Sequence, residues 1–406
     1  MLRSHWHATL HQSPLPCIDL PSTADVVVVG AGVVGAATAL WLTRAGLRPL
    51  VIDQYGPAAG ASGHNGGILA AGLAENYLAA IARYGAATTR ELYELSLRGQ
   101  QLMVELIRQE QIECDLRLHG NLNLAIGEAQ LTITGATVAA LQGDGFPAQL
   151  LDRATAQELV AIPLGAAVSG ARFNPAAGTL HSGRLVYGLL AAAQRNGALC
   201  SWGVTLRQAI TDNGRLRLIT DRGIIDTAAA VIAVNAWSGE VLPELARRIT
   251  MVRGQVLCTV PVESFIACGF GASFTPTGEY GQQTVTGQVL FGGCRAIAPN
   301  HDVGVQPGEV SPEVQGALET SLGRLFPTIA GITIERRWSG AMAFTADYLP
   351  IVVNPMPGLF AIGGFSGHGM PFAAIVGRHL AEAVQSGTIP SALAPFRIDR
   401  PTLAVE

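Results

Sequence analysis

Gly30, Gly32 and Gly35 stand at GxGxxG spacing directly after the β-branched run Val26 to Val29. Glycines at this spacing can hold a diphosphate. The first permits a tight turn, the second lets a pyrophosphate approach the backbone, and the third lets a helix pack against its strand, with the helix N-terminus facing the anion. Val33 falls in the first turn of that helix. Asp53 closes the next apolar run, Leu50 to Ile52, where a carboxylate can accept hydrogen bonds from a ribose diol. Together these residues read as a complete βαβ unit for a dinucleotide.

Two further glycine clusters follow. One is Gly60-Ala61-Ser62-Gly63-His64-Asn65-Gly66-Gly67, and the other is Gly363-Gly364-Phe365-Ser366-Gly367-His368-Gly369, directly ahead of a helical pattern over 373–385. A nicotinamide enzyme has no need of a distant loop of this kind. A long cofactor such as FAD does, because one end lies on the first βαβ unit while the flavin is held elsewhere. The sequence shows no Ser/His/Asp spacing and no notable paired carboxylates. The nearest cysteines, Cys258 and Cys268, are too far apart for zinc or redox motifs, so the six cysteines read as core filler. His5, His7 and His11 imitate a metal site by spacing. With no acidic or Cys residue among them over 5–11, they read as solvated, and no metal is expected.

The elements that must position these loops are legible in outline. Helical periodicity covers 76–114, short alternating runs suggest strands over 116–146, and short and long helices are expected at 155–160 and 183–196, the latter ended by Gly197. Strand pairs over 205–211 and 216–220 flank an Asn213-Gly214 hairpin signal, followed by a strand over 228–234. The Thr/Val/Gly-rich stretch 255–293 suggests an antiparallel platform, and 359–364 returns to α/β character.

The chain has 406 residues, of which 14% are charged and 49% hydrophobic, and its net charge is −4. Such a composition excludes disorder and supports a large core. A sequence pI near 6.1 without basic runs argues against nucleic acid. Despite a mean hydropathy of +0.33, every apolar run is interrupted before the ~18 residues of a membrane span. The N-terminus has no apolar signal region, so cytoplasm is the expected location.

In their order along the chain, ADVVVVGAGVVGAATALWL, GASGHNGG, GTLHSGRLVYGLLAAAQRNGA, VIAVNAWS, VRGQV, WSGAMAFTADYLPIV and PGLFAIGGFSGHGMPFAAIVGRHLAEAV resemble the D-amino-acid oxidase superfamily of FAD oxidoreductases. The likeness is nearest to its glycine oxidase, sarcosine oxidase β-subunit and γ-glutamylputrescine oxidase branch. The resemblance implies an α/β fold: a Rossmann-type FAD-binding domain with an inserted α+β substrate domain on an antiparallel sheet. The expected arm is 1–23, the FAD-binding domain 24–83, 175–250 and 335–406, and the substrate domain 84–174 and 251–334. The implied reaction oxidises an amine or secondary amino acid at its C–N bond, by hydride transfer to flavin N5, giving an imine that water hydrolyses. Oxygen or a redox partner takes the electrons. A D-amino-acid dehydrogenase or oxidase, and a flavoprotein subunit assembled with partner subunits, are the alternatives.

The resemblance also assigns residues. Gly30, Gly32, Val33, Gly35 and Asp53 hold the ADP half, and Ser62, Gly63, His64, Asn65 and Gly67 run beside the ribityl chain and ring. Gly364, Ser366, Gly367, His368, Gly369 and Met370 approach the flavin N1/C2=O edge, with Leu206 and Asn235 completing the cofactor set. His64 has two readings: a covalent bond to flavin, as in relatives whose loop looks like GSTWHAAG, or an unmodified ring-lining residue, which is the reading we adopt. Gly340 stands where monomeric sarcosine oxidases carry a flavin-linking Cys. His368 reads either as a site residue or as a strut for its loop. Tyr280, Gln282, Gln283 and Phe291 are expected to line the pocket, Arg253 to tie its strand to the FAD domain, and Trp338 to be core. Met342 replaces the Arg that clamps an α-carboxylate in the WxGxR segment of relatives. The pocket is therefore expected to be apolar and to suit an amine better than a free D-α-amino acid, unless Arg253 or Arg295 restores the clamp.

Overall fold

Strand Thr23–Val29 lies between two parallel partners, Gly223–Ile232 and Pro49–Asp53. Val26 to Val29 are therefore covered on both faces, as their continuous β-branched run requires. The computed structural model describes residues 3–212 and 214–403. Met1 of the expected arm and Asn213 of the hairpin signal lie outside these residues. The hairpin is present all the same, since Leu206–Asp212 pairs antiparallel with Arg215–Thr220.

Among the described residues the first sheet runs in the order Ile351–Met356, Leu359–Gly363, Gly223–Ile232, Thr23–Val29, Pro49–Asp53, Leu199–Trp202, with the hairpin attached to Gly223–Ile232. Its middle is parallel. Helices Val33–Arg44, Ala86–Gln109, Ser182–Arg195 and Ala373–Ser386 share one core on one face of it.

The second sheet runs Ile334–Phe344, Thr250–Thr259, Val289–Gly293, Glu279–Gln283, Gly269–Ala272, Asn121–Ile126, Val168–Asn174, Gln149–Asp152. It is antiparallel except where Gly269–Ala272 meets Asn121–Ile126. One face packs Leu257, Phe270 and Phe291 against Leu318 and Leu322 of helix Pro312–Leu325. The side-chain period of two sends Tyr280, Asn123 and Arg172 to the other face. The whole is the α/β fold expected, a Rossmann-type layer joined to a largely antiparallel sheet.

Three expectations change. Part of 116–146 is the helix Gly127–Gly143 rather than strands. Its β-branched residues read locally as strand, but Thr137, Val138 and Leu141 are buried at helical spacing, and the last two pack with Tyr77, Tyr93 and Phe146, so tertiary burial overrides propensity. Helix Ala86–Gln109, expected in the substrate unit, buries Leu92, Met103 and Leu106 in the first layer's core. Strand Ile334–Phe344, expected with the FAD-binding unit, pairs with Thr250–Thr259 in the second sheet. No change of composition marks either boundary.

The arm is also not solvated from Ser4 to Trp6. Ser4, His5 and Trp6 are buried, and Trp6 packs with Val256, Cys258, Leu290 and Trp338. Four residues, His5–Ala8, form a short helix capped by Ser4.

Candidate active site

The three glycine clusters meet around one cavity of about 740 Å³, roofed by the first layer and floored by the second sheet. Each glycine of the fingerprint has its own reason. Gly30 has φ +109°, and a Cβ there would stand 2.6 Å from the Ala233 carbonyl oxygen. A Cβ on Gly35 would stand 1.9 Å from the Gly30 oxygen, so close packing of helix on turn forbids it. At Gly32 a Cβ would meet only the Ser62 Oγ, at 3.1 Å. The protein leaves that side open, as a pyrophosphate cradle must be. Ser62 Oγ accepts from the Val33 N–H at 2.9 Å, which leaves its own proton to donate into the cavity.

Asp53 lines the same cavity, and much of its carboxylate is committed: one oxygen accepts from Ala31 N–H, the other from Tyr55 and Gly56 N–H, all at 2.8 Å. It thus shapes the glycine turn and keeps one acceptor position for a ribose hydroxyl. Leu206 lines the cavity beyond it.

The loop 60–67 is held from behind by the arm. Trp6 Nε1 donates to the Asn65 carbonyl at 2.7 Å and Ser4 Oγ to the Gly63 carbonyl at 2.5 Å. Asn65 in turn accepts from Gly67 N–H at 2.9 Å. His64 lines the cavity, donates from Nδ1 to the Gly60 carbonyl at 2.8 Å, and has its ring 4.9 Å from that of His7. Trp338 is core, as expected, and its indole donates to the His64 carbonyl at 3.0 Å.

Asn235 pins the third loop by accepting from Gly364 N–H at 3.0 Å. Gly367, His368, Gly369 and Met370 reach the cavity, and Ser366 turns back with φ +49° to bond Ala343. His368 is half-buried: desolvation lowers its pKa to about 4, and it is hydrogen-bonded to the Ala70 carbonyl while its Nε2 has no partner among the described residues. The ring is thus neutral, with an acceptor atom available to a ligand.

Among the expected residues, Gly35, Gly63, Gly364 and Ser366 stand behind the cavity wall and shape it. Gln283 and Phe291 are corrections. Gln283 points to the opposite face from Tyr280 and is consumed by Phe265, Ile266, Val262, Glu263 and Gly287, while Phe291 sits in the helix-side core. Gln282 instead ties the sheet to the loop through the Gly66 and Gly67 carbonyls. Tyr280 does line the cavity, its hydroxyl pushed up to about 12 by burial.

Arg253 is occupied by a two-pronged pair with Asp302, at 2.9 and 3.0 Å, within the second layer rather than across to the first. Arg295 lies over the Phe344 ring. Neither takes the place of the Arg that Met342 replaces, and Met342 lines the cavity beside Gly254 and Gly340. The expectation of an apolar pocket nevertheless fails at its far end. Arg172, from strand Val168–Asn174, lines the cavity together with Asn121, Asn123 and Tyr93. Sequence reasoning missed it. The available signal was its place in Ser169-Gly170-Ala171-Arg172-Phe173-Asn174, where alternation puts Arg172 and Asn174 on one face.

The comparisons agree with this geometry. Gamma-glutamylputrescine oxidoreductase of Escherichia coli is 27% identical over 386 residues, covering 92% of this chain and 86% of that protein. Monomeric sarcosine oxidase of an Arthrobacter species is 24% identical, covering 93% and 97%. The crystal structure of glycine oxidase from Geobacillus kaustophilus matches in fold with a TM-score of 0.79 at 22% identity, covering 94% of this chain and 99% of that one. Residues 25–383 match the model of a family described as "FAD dependent oxidoreductase". The open cradle at Gly32, the ribose-side carboxylate and the two distant glycine loops suit FAD, and the chain belongs to the FAD-dependent oxidoreductase family.

Proposed function

We propose that the protein oxidises the C–N bond of an amine or secondary amino acid to an imine, which water then hydrolyses. The observation that carries this reading is the continuity of one cavity from the Gly32 cradle to an end lined by Met342 and Tyr280 of the second sheet and by His368 of the third glycine loop. When bound, FAD supplies the two-electron acceptor. The protein's own part is to hold the amine as the free base. Neutral His368 offers Nε2 to an amine N–H, and Met342 offers a thioether that donates nothing, so an α-carboxylate finds no clamp there. Few acid/base groups are needed because the cofactor carries the hard step. The buried, free thiols of Cys114, Cys200, Cys258, Cys268 and Cys294 suit a reducing compartment, and we place the protein in the cytoplasm.

Anaerobic bleaching of the purified yellow protein by a panel of amines, N-methyl amino acids and D-amino acids tests the reading. Amines or N-substituted amines should bleach it fastest. D-alanine as the best reductant would replace it with a D-amino-acid activity. Oxygen consumption against dye reduction then separates oxidase from dehydrogenase.

A further inference from the structure

Four carboxylates line the large cavity, and three have partners: Asp53 the amides named above, Glu75 the Arg83 guanidinium at 2.6 Å, and Glu279 the Phe274 and Thr275 amides. The fourth, Glu240, belongs to the short helix Ser238–Val241, beside the Leu206–Asp212 strand. Of the cations lining it among the described residues, Arg207 faces Asp221 at 3.7 Å. Arg172 is different. Among the described residues its guanidinium makes no side-chain hydrogen bond, ion pair or ring contact, although desolvation is the main influence on it. Its cross-strand neighbour Asn123, directly opposite in register and so on the same face, also has no side-chain partner. These two side chains hold a fork of unused donors above the cavity floor.

A half-buried cation that faces a cavity without a partner adds no stability that an apolar residue in its place would not. Something other than packing therefore accounts for Arg172. Beside it a smaller polar cavity of about 180 Å³ opens, lined by Asn76, Asn123, Gln130, Thr134 and Thr137 and free of carboxylates. Arg172 lines both cavities and is electrostatically coupled to His368 and Tyr93.

The sheet order gives the separation from the reacting end. Met342 is on the strand at one end of the second sheet, and Arg172 is on a strand six steps away in the sheet order. Even after both side chains reach inward, a group held by Arg172 cannot be an α-carboxylate held beside Met342.

We propose that Arg172, with Asn123, is the specificity site for an anionic group carried at a distance from the oxidised C–N bond, so that the substrate is an amine with a remote carboxylate. This rests on the amine reading above and narrows it. The planar guanidinium matches a carboxylate with two parallel hydrogen bonds, and Asn123 adds amide donors.

The test uses the FAD-loaded protein and paired probes, butylamine with 4-aminobutanoate and N-methylbutylamine with 4-(methylamino)butanoate, together with glutarate as a ligand that cannot be oxidised. Wild type should favour the carboxylate-bearing member of each pair by about 100-fold in kcat/KM, and Arg172→Met should shrink that preference to near unity. Arg172→Lys should keep part of the preference, because it retains the charge but not the fork. Glutarate should compete with substrate and raise the melting temperature of wild type but not of Arg172→Met. Equal rates within each pair for wild type, or a stronger preference for 2-aminobutanoate than for 4-aminobutanoate, overturn the proposal and leave amine oxidation standing. If no amine is oxidised yet glutarate binds wild type and not Arg172→Met, the anion site stands and the amine reading falls. Should Arg172→Met fail to fold, Arg172→Lys and glutarate competition against wild type decide the matter.

Discussion

Gly340 and His64 are in mutual contact: a Cβ on Gly340 would stand 2.6 Å from the His64 Cβ. The strand that floors the cavity and the loop that runs beside it are therefore fitted to each other at a position without a side chain. Gly340→Ala should displace the His64 loop, lowering stability by about 1–3 kcal/mol and the FAD content with it. Flavin absorbance per chain and thermal unfolding read both, and unchanged FAD occupancy would contradict the fit. With His64 unmodified, the reading adopted above, and glycine rather than cysteine at 340, acid precipitation of the wild type should release its flavin to the supernatant.

The fingerprint glycines should separate into two phenotypes. Gly32→Val meets only a hydroxyl, so this variant should fold, with wild-type circular dichroism, and be colourless. Gly35→Val meets the Gly30 carbonyl and should fail to fold. A yellow Gly32→Val protein would remove the cradle from the argument.

Trp6 reaches Asn65 from the far side of the loop. Trp6→Phe keeps most of the buried ring but loses an N–H donor, a change worth ~1 kcal/mol. FAD should then bind up to about tenfold more weakly, measured by recovery of flavin fluorescence on dilution, with the substrate preference unchanged. Equal FAD affinity in the two proteins counts against any role of the arm in holding the loop.

Burial lowers the pKa of His5 and His7 from 6.5 to about 4 and that of His181 to about 3. Between these values and 6.5 the unfolded chain binds protons that the folded one refuses, so stability rises with pH through this window. Their contribution is complete above about pH 6.5 and is lost as pH falls toward 4. Melting temperature should drop by several degrees from pH 7 to pH 5, and less in a His5→Gln/His7→Gln/His181→Gln variant. Parallel pH profiles of the two proteins would show that these groups do not contribute.

What the sequence revealed was whatever depends on local pattern. Val26 to Val29, the fingerprint and Asp53 announced their unit because each residue's role follows from neighbours a few positions away. Gln283 and Tyr280 lie three residues apart and were read as one group, but strand alternation placed them on opposite faces, and the sequence did not show which phase faced the cavity. Arg172 could be seen to alternate inward, yet its lack of a partner is a property of the whole wall. It emerges only when the register sets it opposite Asn123 and every neighbouring carboxylate is accounted for. The arm failed differently: three histidines and three prolines suggest solvent, while the groove that buries Trp6 is made by residues such as His181 and Trp338, more than 170 positions later.

The order of strands in the first sheet has a consequence for how the protein comes into being. Its neighbouring central strands are synthesised as Thr23–Val29, Gly223–Ile232 and Leu359–Gly363. A nascent chain on the ribosome can close its glycine turn early, but the loop that walls the other end of the cavity emerges only with Gly369. Pairing across such separations is slow, because loop closure precedes any gain from contact. Until Leu359–Gly363 arrives, the Ala230–Ile232 stretch of one edge, beyond the hairpin strand Arg215–Thr220, has no strand on it and is open to neighbouring chains. Cofactor capture is thus a late, post-translational event, and a chain truncated before Leu359 is a substrate for proteases and aggregation rather than a partial enzyme.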